Sequence, residues 1–383
     1  MNVIPLDYPT LRIIWWLLLG VLLAGFAVTD GFDLGIGMML HRVARTNTER
    51  NTVLNTIKAV WEGNQVWLIV GAGSIFAAWP DIYAVSFSGF YFAMLLVLLA
   101  LILRPVGFKY RDKINHPAWQ AVWDACIFVA GFVPTLIFGV AVGNVLQGVP
   151  FHYDEAMLPI YTGSFWALLN PFALLAGALS ISMLCMHGCI YLALKTDGII
   201  RVRAARYSKT AAFLTVIFFA MAGIWVDTSL SGFVFSSTPA MSGVSNPLHK
   251  TVILQPGAWL ANYNTYPWSL MAPAMGLAGA ILAMVLVRAK HYLSAWLASA
   301  CSIIGIIATV GVSMFPFILP SSTHPGMSLT VWDASSSQLT LFTMLIVTLI
   351  FLPVILLYTG WVYHIMRRKP LEKTSLENNS NNY

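Results

Sequence analysis

Charge is scarce in this chain of 383 residues: Asp, Glu, Lys and Arg make up only 9%, against 58% hydrophobic residues and a mean hydropathy of +0.75. An ordinary soluble domain carries roughly a quarter charged residues, so the composition excludes one. Long hydrophilic runs are missing as well. The longest, about 227–267, is rich in Ser, Pro and Gly and too short for a separate soluble domain. The four cysteines, Cys126, Cys185, Cys189 and Cys301, all lie in apolar segments, which argues against a disulfide framework and for small buried residues. The N-terminus lacks the basic region and small-residue cleavage site of a signal peptide, so its first apolar run reads as a retained helix. No phosphate-binding glycine loop, Ser-His-Asp pattern or zinc-type spacing stands out.

Histidine is scarce inside the apolar segments. Of eight, His41, His116, His152, His249, His291, His324 and His364 fall in loops or at span ends, and only His187 is well inside a span. A di-haem membrane bundle with paired axial histidines needs more than that. The Cys185, His187, Cys189 spacing does not supply a metal site, because positions i and i+4 share a helix face and i+2 points away.

What is present is a series of long apolar runs. A helix needs about 20 mostly apolar residues to cross a bilayer. Nine candidates meet this, near 13–39, 52–79, 82–103, 118–146, 164–194, 208–229, 266–288, 292–318 and 338–366. The chain therefore reads as an all-α polytopic membrane protein, a single integral domain over 1–383. Its helical bundle runs to about 366 and a cytoplasmic tail covers 367–383. Pro80, Pro105, Pro150 and Pro320 mark span ends. Gly71, Gly73 and Gly89 suggest close helix contacts. Trp15, Trp16, Trp79, Trp119, Trp166, Trp259, Trp268, Trp332 and Trp361 sit near span ends, as interfacial belts do.

Loop charges set the orientation. Arg42, Arg45, Arg50 and Lys58 follow span 1; Arg104, Lys109, Arg111 and Lys113 follow span 3. Lys195, Arg201, Arg203, Arg206 and Lys209 follow span 5; Arg288 and Lys290 follow span 7; Arg367, Arg368, Lys369 and Lys373 lie in the tail. Thus 19 of the 21 Lys and Arg fall on one face, and only Arg12 and Lys250 remain for the other. This alternation puts the N-terminus outside and the C-terminus in the cytoplasm. It also assigns the net charge of +6 to topology, with membrane lipid as the surroundings and no nucleic acid partner.

Four carboxylates, Asp30, Asp33, Glu62 and Asp124, fall at membrane depth toward the basic face. Such acids are expensive in hydrocarbon and mark ion or proton paths. At helical rise Asp30 is about 15 Å from the basic end of span 1, and Glu62 is about 15 Å into span 2. Antiparallel neighbours would hold them at similar depth. Asp33 is one turn nearer that face, and Asp124 is roughly 9 Å into span 4. Arg104 is positioned to pair with Asp33 or Asp124. The structural alternatives are ion pairs that fix the bundle, or an early end of span 1 at TDGFDLGIG. Around Glu62, Trp61, Gly63, Asn64 and Gln65 make a notch able to hold water. In the segment TVWDASSSQLTL, Asp333 or a serine at 335–337 reads as the cap of the last span.

The pieces LRIIWWLLLGVLLAGFAVTDGFDLGIG, WEGNQVWLIVGAGSIFAAWP, FSGFYFAMLLVLL, LRPVGFKYRDK, GNVLQGVPF, SNPL, PGAWL, FPFILPSST and WDASSSQLTL resemble, in order and over nearly the whole chain, subunit II of cytochrome bd quinol oxidase. The resemblance implies nine transmembrane helices arranged as two four-helix bundles plus one peripheral helix. It implies a heterodimer with a homologous subunit I that ligates haem b and haem d and holds the quinol site. Small single-span accessory subunits and a structural quinone are compatible with it. It implies the bacterial cytoplasmic (inner) membrane and a complex that reduces oxygen with cytoplasmic protons, without pumping. Residue by residue, it implicates Glu62 in a proton route toward haem d. It matches Asp30, Asp33, Arg104 and Asp124 to the family's acidic and basic positions, and Trp67 to the mouth of an apolar oxygen channel. His187 matches no family motif and reads as packing.

Two functions follow. One is a non-haem-ligating oxidase subunit that supports subunit I, delivers protons and admits oxygen. The other is a proton-coupled secondary transporter, whose acids would flank a midplane site.

Overall fold

A computed structural model describes residues 4–237 and 240–365. The tail expected at 367–383, with Arg367, Arg368, Lys369 and Lys373, lies outside the described residues. The chain folds into α1 (Tyr8–Val43), α2 (Asn47–Asn55), α3 (Trp61–Ala78), α4 (Pro80–Gly89), α5 (Tyr91–Tyr110), α6 (Pro117–Gln147), α7 (Pro171–Lys195), α8 (Gly198–Thr228), α9 (Ala261–Thr265), α10 (Met271–Arg288), α11 (Tyr292–Met314) and α12 (Gln338–Ile365). Among the described residues eight helices are long and apolar enough to cross a membrane, and the count reaches nine with α3 and α4, bent by 120°, taken as one broken span. The nine-span expectation therefore holds. α1, α3, α5 and α6 form one four-helix bundle, α7, α8, α10 and α11 form the second, and α12 packs peripherally on α1 and α3.

Local chemistry explains the boundaries. Asp7 caps α1 by accepting from the Thr10 N–H at 3.2 Å, and Asn170 caps α7 by accepting from Ala173 N–H at 2.9 Å. α1 does not end at TDGFDLGIG but continues to Val43, so Asp30 and Asp33 lie inside a continuous helix. Span 2 departs from its expected start at Thr52. Helix α2 ends at Asn55, residues 56–60 form tight turns, and α3 begins at Trp61. Asn and Thr compete for the backbone there; the Thr56 hydroxyl, for example, donates to Val53 O at 2.6 Å. Span 3 differs as well. The segment from Pro80 forms the separate helix α4, and α5 runs through Pro105 to Tyr110 instead of stopping there.

The two bundles meet where α1 crosses α7. A Cβ on Gly35 would sit 2.1 Å from Leu184 O, and one on Gly188 would sit 2.8 Å from Phe32 O. Only glycine permits this backbone approach. Gly71 and Gly73, expected at helix contacts, have nothing within 4 Å, whereas Gly89 abuts the Tyr161 ring. We expect Gly35→Ala to destabilise the chain by about 1–3 kcal/mol, because a carbonyl cannot swing away as a side chain can. Thermal melting checks this against Gly20→Ala, where the space is open. Equal melting of the two variants would remove the argument.

The face opposite the basic loops is closed by a cap of three antiparallel hairpins: β1 (Phe151–Tyr153) with β2 (Pro159–Tyr161), β3 (Ser231–Ser237) with β4 (Thr251–Pro256), and β5 (Phe317–Leu319) with β6 (Leu329–Thr330). Trp15, Trp79 and Trp259, expected in an interfacial belt, are buried instead; the Trp15 indole donates to Leu341 O and that of Trp259 to Leu146 O. Trp166, Trp268 and Trp361 are exposed, as belt residues are.

Arg12 and Lys250, the two cations on this face, are buried and committed. Arg12 donates to Ser335 Oγ, Met241 O, Gly243 O and Ser245 Oγ, and its guanidinium lies 3.6 Å from the Tyr8 ring centroid. Lys250 pairs with Asp333 at 2.6 Å. Burial pushes the Lys250 ammonium below its ordinary pKa, and the Asp333 charge opposes that. Asp333 also accepts from Thr330 N–H at 2.9 Å. The residue that caps α12 is Ser337, whose hydroxyl accepts from Thr340 N–H at 3.3 Å.

Candidate functional site

Span 1 carries its two acids one turn apart, so they share a helix face but meet different neighbours. Asp30 is fully buried and paired with Arg104 of α5. The pair is bidentate, Nη1 to Oδ1 at 2.5 Å and Nη2 to Oδ2 at 3.0 Å. This corrects the expected pairing of Arg104 with Asp33 or Asp124. The fork matches the carboxylate plane and occupies both of its oxygens.

Asp33 is 3% exposed, and among the described residues no cation lies within ion-pair distance of it. Its Oδ2 accepts from the Asn64 amide of α3 at 2.8 Å, and its Oδ1 has no hydrogen-bond partner. A buried carboxyl oxygen without a donor is unusual. Among the four acids, this carboxyl and that of Glu62 can gain or lose a proton without dismantling an ion pair.

Asp124 of α6 is also fully buried. Arg111 holds it through Nε at 2.6 Å and Nη2 at 3.3 Å, and Arg50 of α2 holds its Oδ2 at 2.9 Å. Arg111 reaches on to Asn51 and Asp112. Glu49 of α2 completes a capping box with Thr46 and pairs with Arg203 of α8 at 2.8 Å. Helix α2 thus ties both bundles together at the basic face.

Glu62 lies in the first turn of α3, not ten residues inside a helix. The Asn64–Asp33 contact sets the α1/α3 register and brings Glu62 near the level of Asp33, on the basic side of Asp30. Its side chain is exposed, and among the described residues none makes a hydrogen bond or ion pair with it. It shares its face with the exposed Val66, Ile69 and Phe76. The structure therefore separates the four acids into two clamped and two unclamped groups. Sequence reasoning missed Arg111 and Arg50 as the partners of Asp124. The signal was the short loop from α5 to α6, which returns Arg111 directly onto α6.

Trp67 is 8% exposed, lies flush against Gly25 of α1 and leaves its indole N–H without a partner. It belongs to the apolar core cluster that also includes Leu22, Phe26, Val97 and Leu101. His187 joins the two bundles. Its Nδ1 contacts Ser299 Oγ of α11 at 2.7 Å, its Nε2 contacts Val28 O of α1 at 3.0 Å, and its ring stacks on Trp296. With both ring nitrogens engaged, it does not fit an axial haem ligand. Among the described residues, no group of three His, Cys, Asp or Glu is arranged to hold a metal.

The sequence profile of the family described as cytochrome bd terminal oxidase subunit II matches residues 11–366. The chain is 48% identical over 375 residues to cytochrome bd-I ubiquinol oxidase subunit 2 of Escherichia coli K12, covering 98% of this chain and 99% of that one. It is 30% identical to cytochrome bd ubiquinol oxidase subunit 2 of Bacillus subtilis 168, covering 95% of this chain and 98% of the relative. A chain of the bd oxidase structure from Geobacillus thermodenitrificans superposes with a TM-score of 0.67 at 12% identity, covering 95% of this chain and 99% of that chain, which is a likeness of fold.

Proposed function

Taking as premise that this chain belongs to the cytochrome bd terminal oxidase subunit II family, we propose that it is the non-haem-ligating half of a quinol:oxygen oxidoreductase in the bacterial inner membrane. Haem b and haem d, held by a subunit I partner, would supply the electron transfer and oxygen chemistry. This chain would supply proton delivery, apolar oxygen access past Trp67, and support for its partner. Its N-terminus would lie outside and its C-terminus in the cytoplasm, as the basic face argues.

The observation that carries the reading is the contrast among the acids. Asp30 and Asp124 have both oxygens engaged by guanidinium groups, which makes them fixed charges. Among the described residues Asp33 and Glu62 have no such cation. Protons would enter at the basic face and pass by way of Glu62 and Asp33, while Arg104 and the Asp124 clamp hold the surrounding helices and field. Asn64 positions the Asp33 carboxyl.

Glu62 also indicates where the partner sits. An acid facing hydrocarbon is costly, so its exposed face on α3 calls for protein or water. The α3 stripe of Val66, Ile69 and Phe76, with the thinly covered α12 beside it, is the face we assign to subunit I.

The test is gentle purification of the tagged chain from its host, with a visible spectrum. A second polytopic chain bearing haem should accompany it, and the tagged chain expressed alone should be colourless. Haem retained by the lone chain, or a colourless and partner-free preparation from the host, would overturn the reading.

A further inference from the structure

We propose that the loop at residues 240–248, on the Arg-poor face, is a preformed docking element for the outer surface of the haem-bearing partner. This rests on the reading above that α3 and α12 face that partner. The loop presents Met241, Val244 and Leu248 at 49%, 94% and 44% exposure. A lone exposed apolar residue needs no explanation. These three sit on a loop that is rigidly held. Arg12, fully buried, binds Met241 O at 2.5 Å, Gly243 O at 3.1 Å and Ser245 Oγ at 2.9 Å, and so grips the chain on both sides of Val244. Ser245 Oγ donates to Ser335 O at 2.7 Å, and the Tyr8 hydroxyl donates to Ser336 O at 2.7 Å.

Among the described residues no carboxylate contacts this buried guanidinium; satisfied by carbonyls and hydroxyls, it is an expensive way to hold a loop whose apolar side chains face away from the chain. Holding it fixed removes the ordering cost that a flexible loop would incur on binding.

Position selects the occupant. The loop rests on the first turns of α1 and on the segment leading into α12, and Ser336 N–H in turn donates to Ala78 O at the end of α3. It therefore continues the α3/α12 face past the helix ends. Residues 240–249 contain no Asp, Glu, Lys or Arg, as the core of a protein interface requires. Acyl chains are the poorer candidate, because Ser242, Ser245 and Asn246 surround Val244 beyond the start of α1.

Site-specific photocrosslinking in the intact complex tests this. Val244→benzoylphenylalanine should form an adduct with the haem-bearing chain on irradiation of native membranes. Val66→benzoylphenylalanine, on the α3 face, is the comparison. Adducts with that chain at both positions support the proposal. An adduct at 66 with only lipid or nothing at 244 overturns it and leaves the functional reading intact. No adduct with a haem-bearing chain at either position overturns both. As a second measure, Val244→Asp, at a position 94% exposed, should leave the fold in place and cause a several-fold loss of haem recovered with the tagged chain after detergent washing. Unchanged recovery counts against the docking role.

Discussion

Glu62→Gln should slow quinol-driven oxygen consumption on the order of 100-fold, the scale on which removing a proton-transferring side chain acts. Haem content and chain accumulation should stay near those of the parent. The substitution keeps shape and length and removes only the group that ionises. Among the described residues none makes a hydrogen bond or ion pair with Glu62, so no such contact is lost. Glu62→Asp should be milder, because an acid remains and is displaced by one methylene. Oxygen uptake per haem is the measurement. Parental turnover in Glu62→Gln would show that protons enter elsewhere and would leave the exposed acid without a role in conduction.

The spans, their order and the basic face were legible because hydropathy and loop charge are local signals that need no knowledge of packing. Depth was legible only in part. Asp30 could be placed from the end of α1, since that helix is continuous. Glu62 was misplaced because the Asn- and Thr-rich segment 47–56 breaks the helix before it, and competition between side chain and backbone is weakly encoded in periodicity. Pairing was least legible. Arg104 is 74 residues from Asp30 in sequence, and helical rise alone cannot say which of two acids one turn apart a five-donor side chain will choose. The burial of Trp15, Trp79 and Trp259 was hidden for a similar reason: the belt pattern marks span ends, but the hairpin cap that covers them is tertiary.

Arg104→Met should destabilise the chain by about 3–5 kcal/mol, because it leaves the Asp30 charge buried without its partner. Asp30→Asn should be costly too, for the converse reason. The double variant Asp30→Asn with Arg104→Met should regain most of the loss, since removing both charges also removes the desolvation cost they share. Thermal melting of the purified complex, arranged as a double-mutant cycle, measures the coupling. Additive losses would mean that the two side chains do not act as a clamp, and the division of the acids into fixed and proton-carrying groups would fail with it.

The grip of Arg12 has a consequence for biogenesis. Its partner Ser335 is made 323 residues later, and Lys250 likewise waits for Asp333. A ribosome delivering this polypeptide commits the first span to the bilayer long before the groups that satisfy its guanidinium exist. The early helices must travel through synthesis with that cation hydrated or borrowed by lipid headgroups, and the hairpin lid opposite the basic loops can lock only after the eighth span has been threaded. Products truncated before Asp333 therefore lack the groups that satisfy both Arg12 and Lys250.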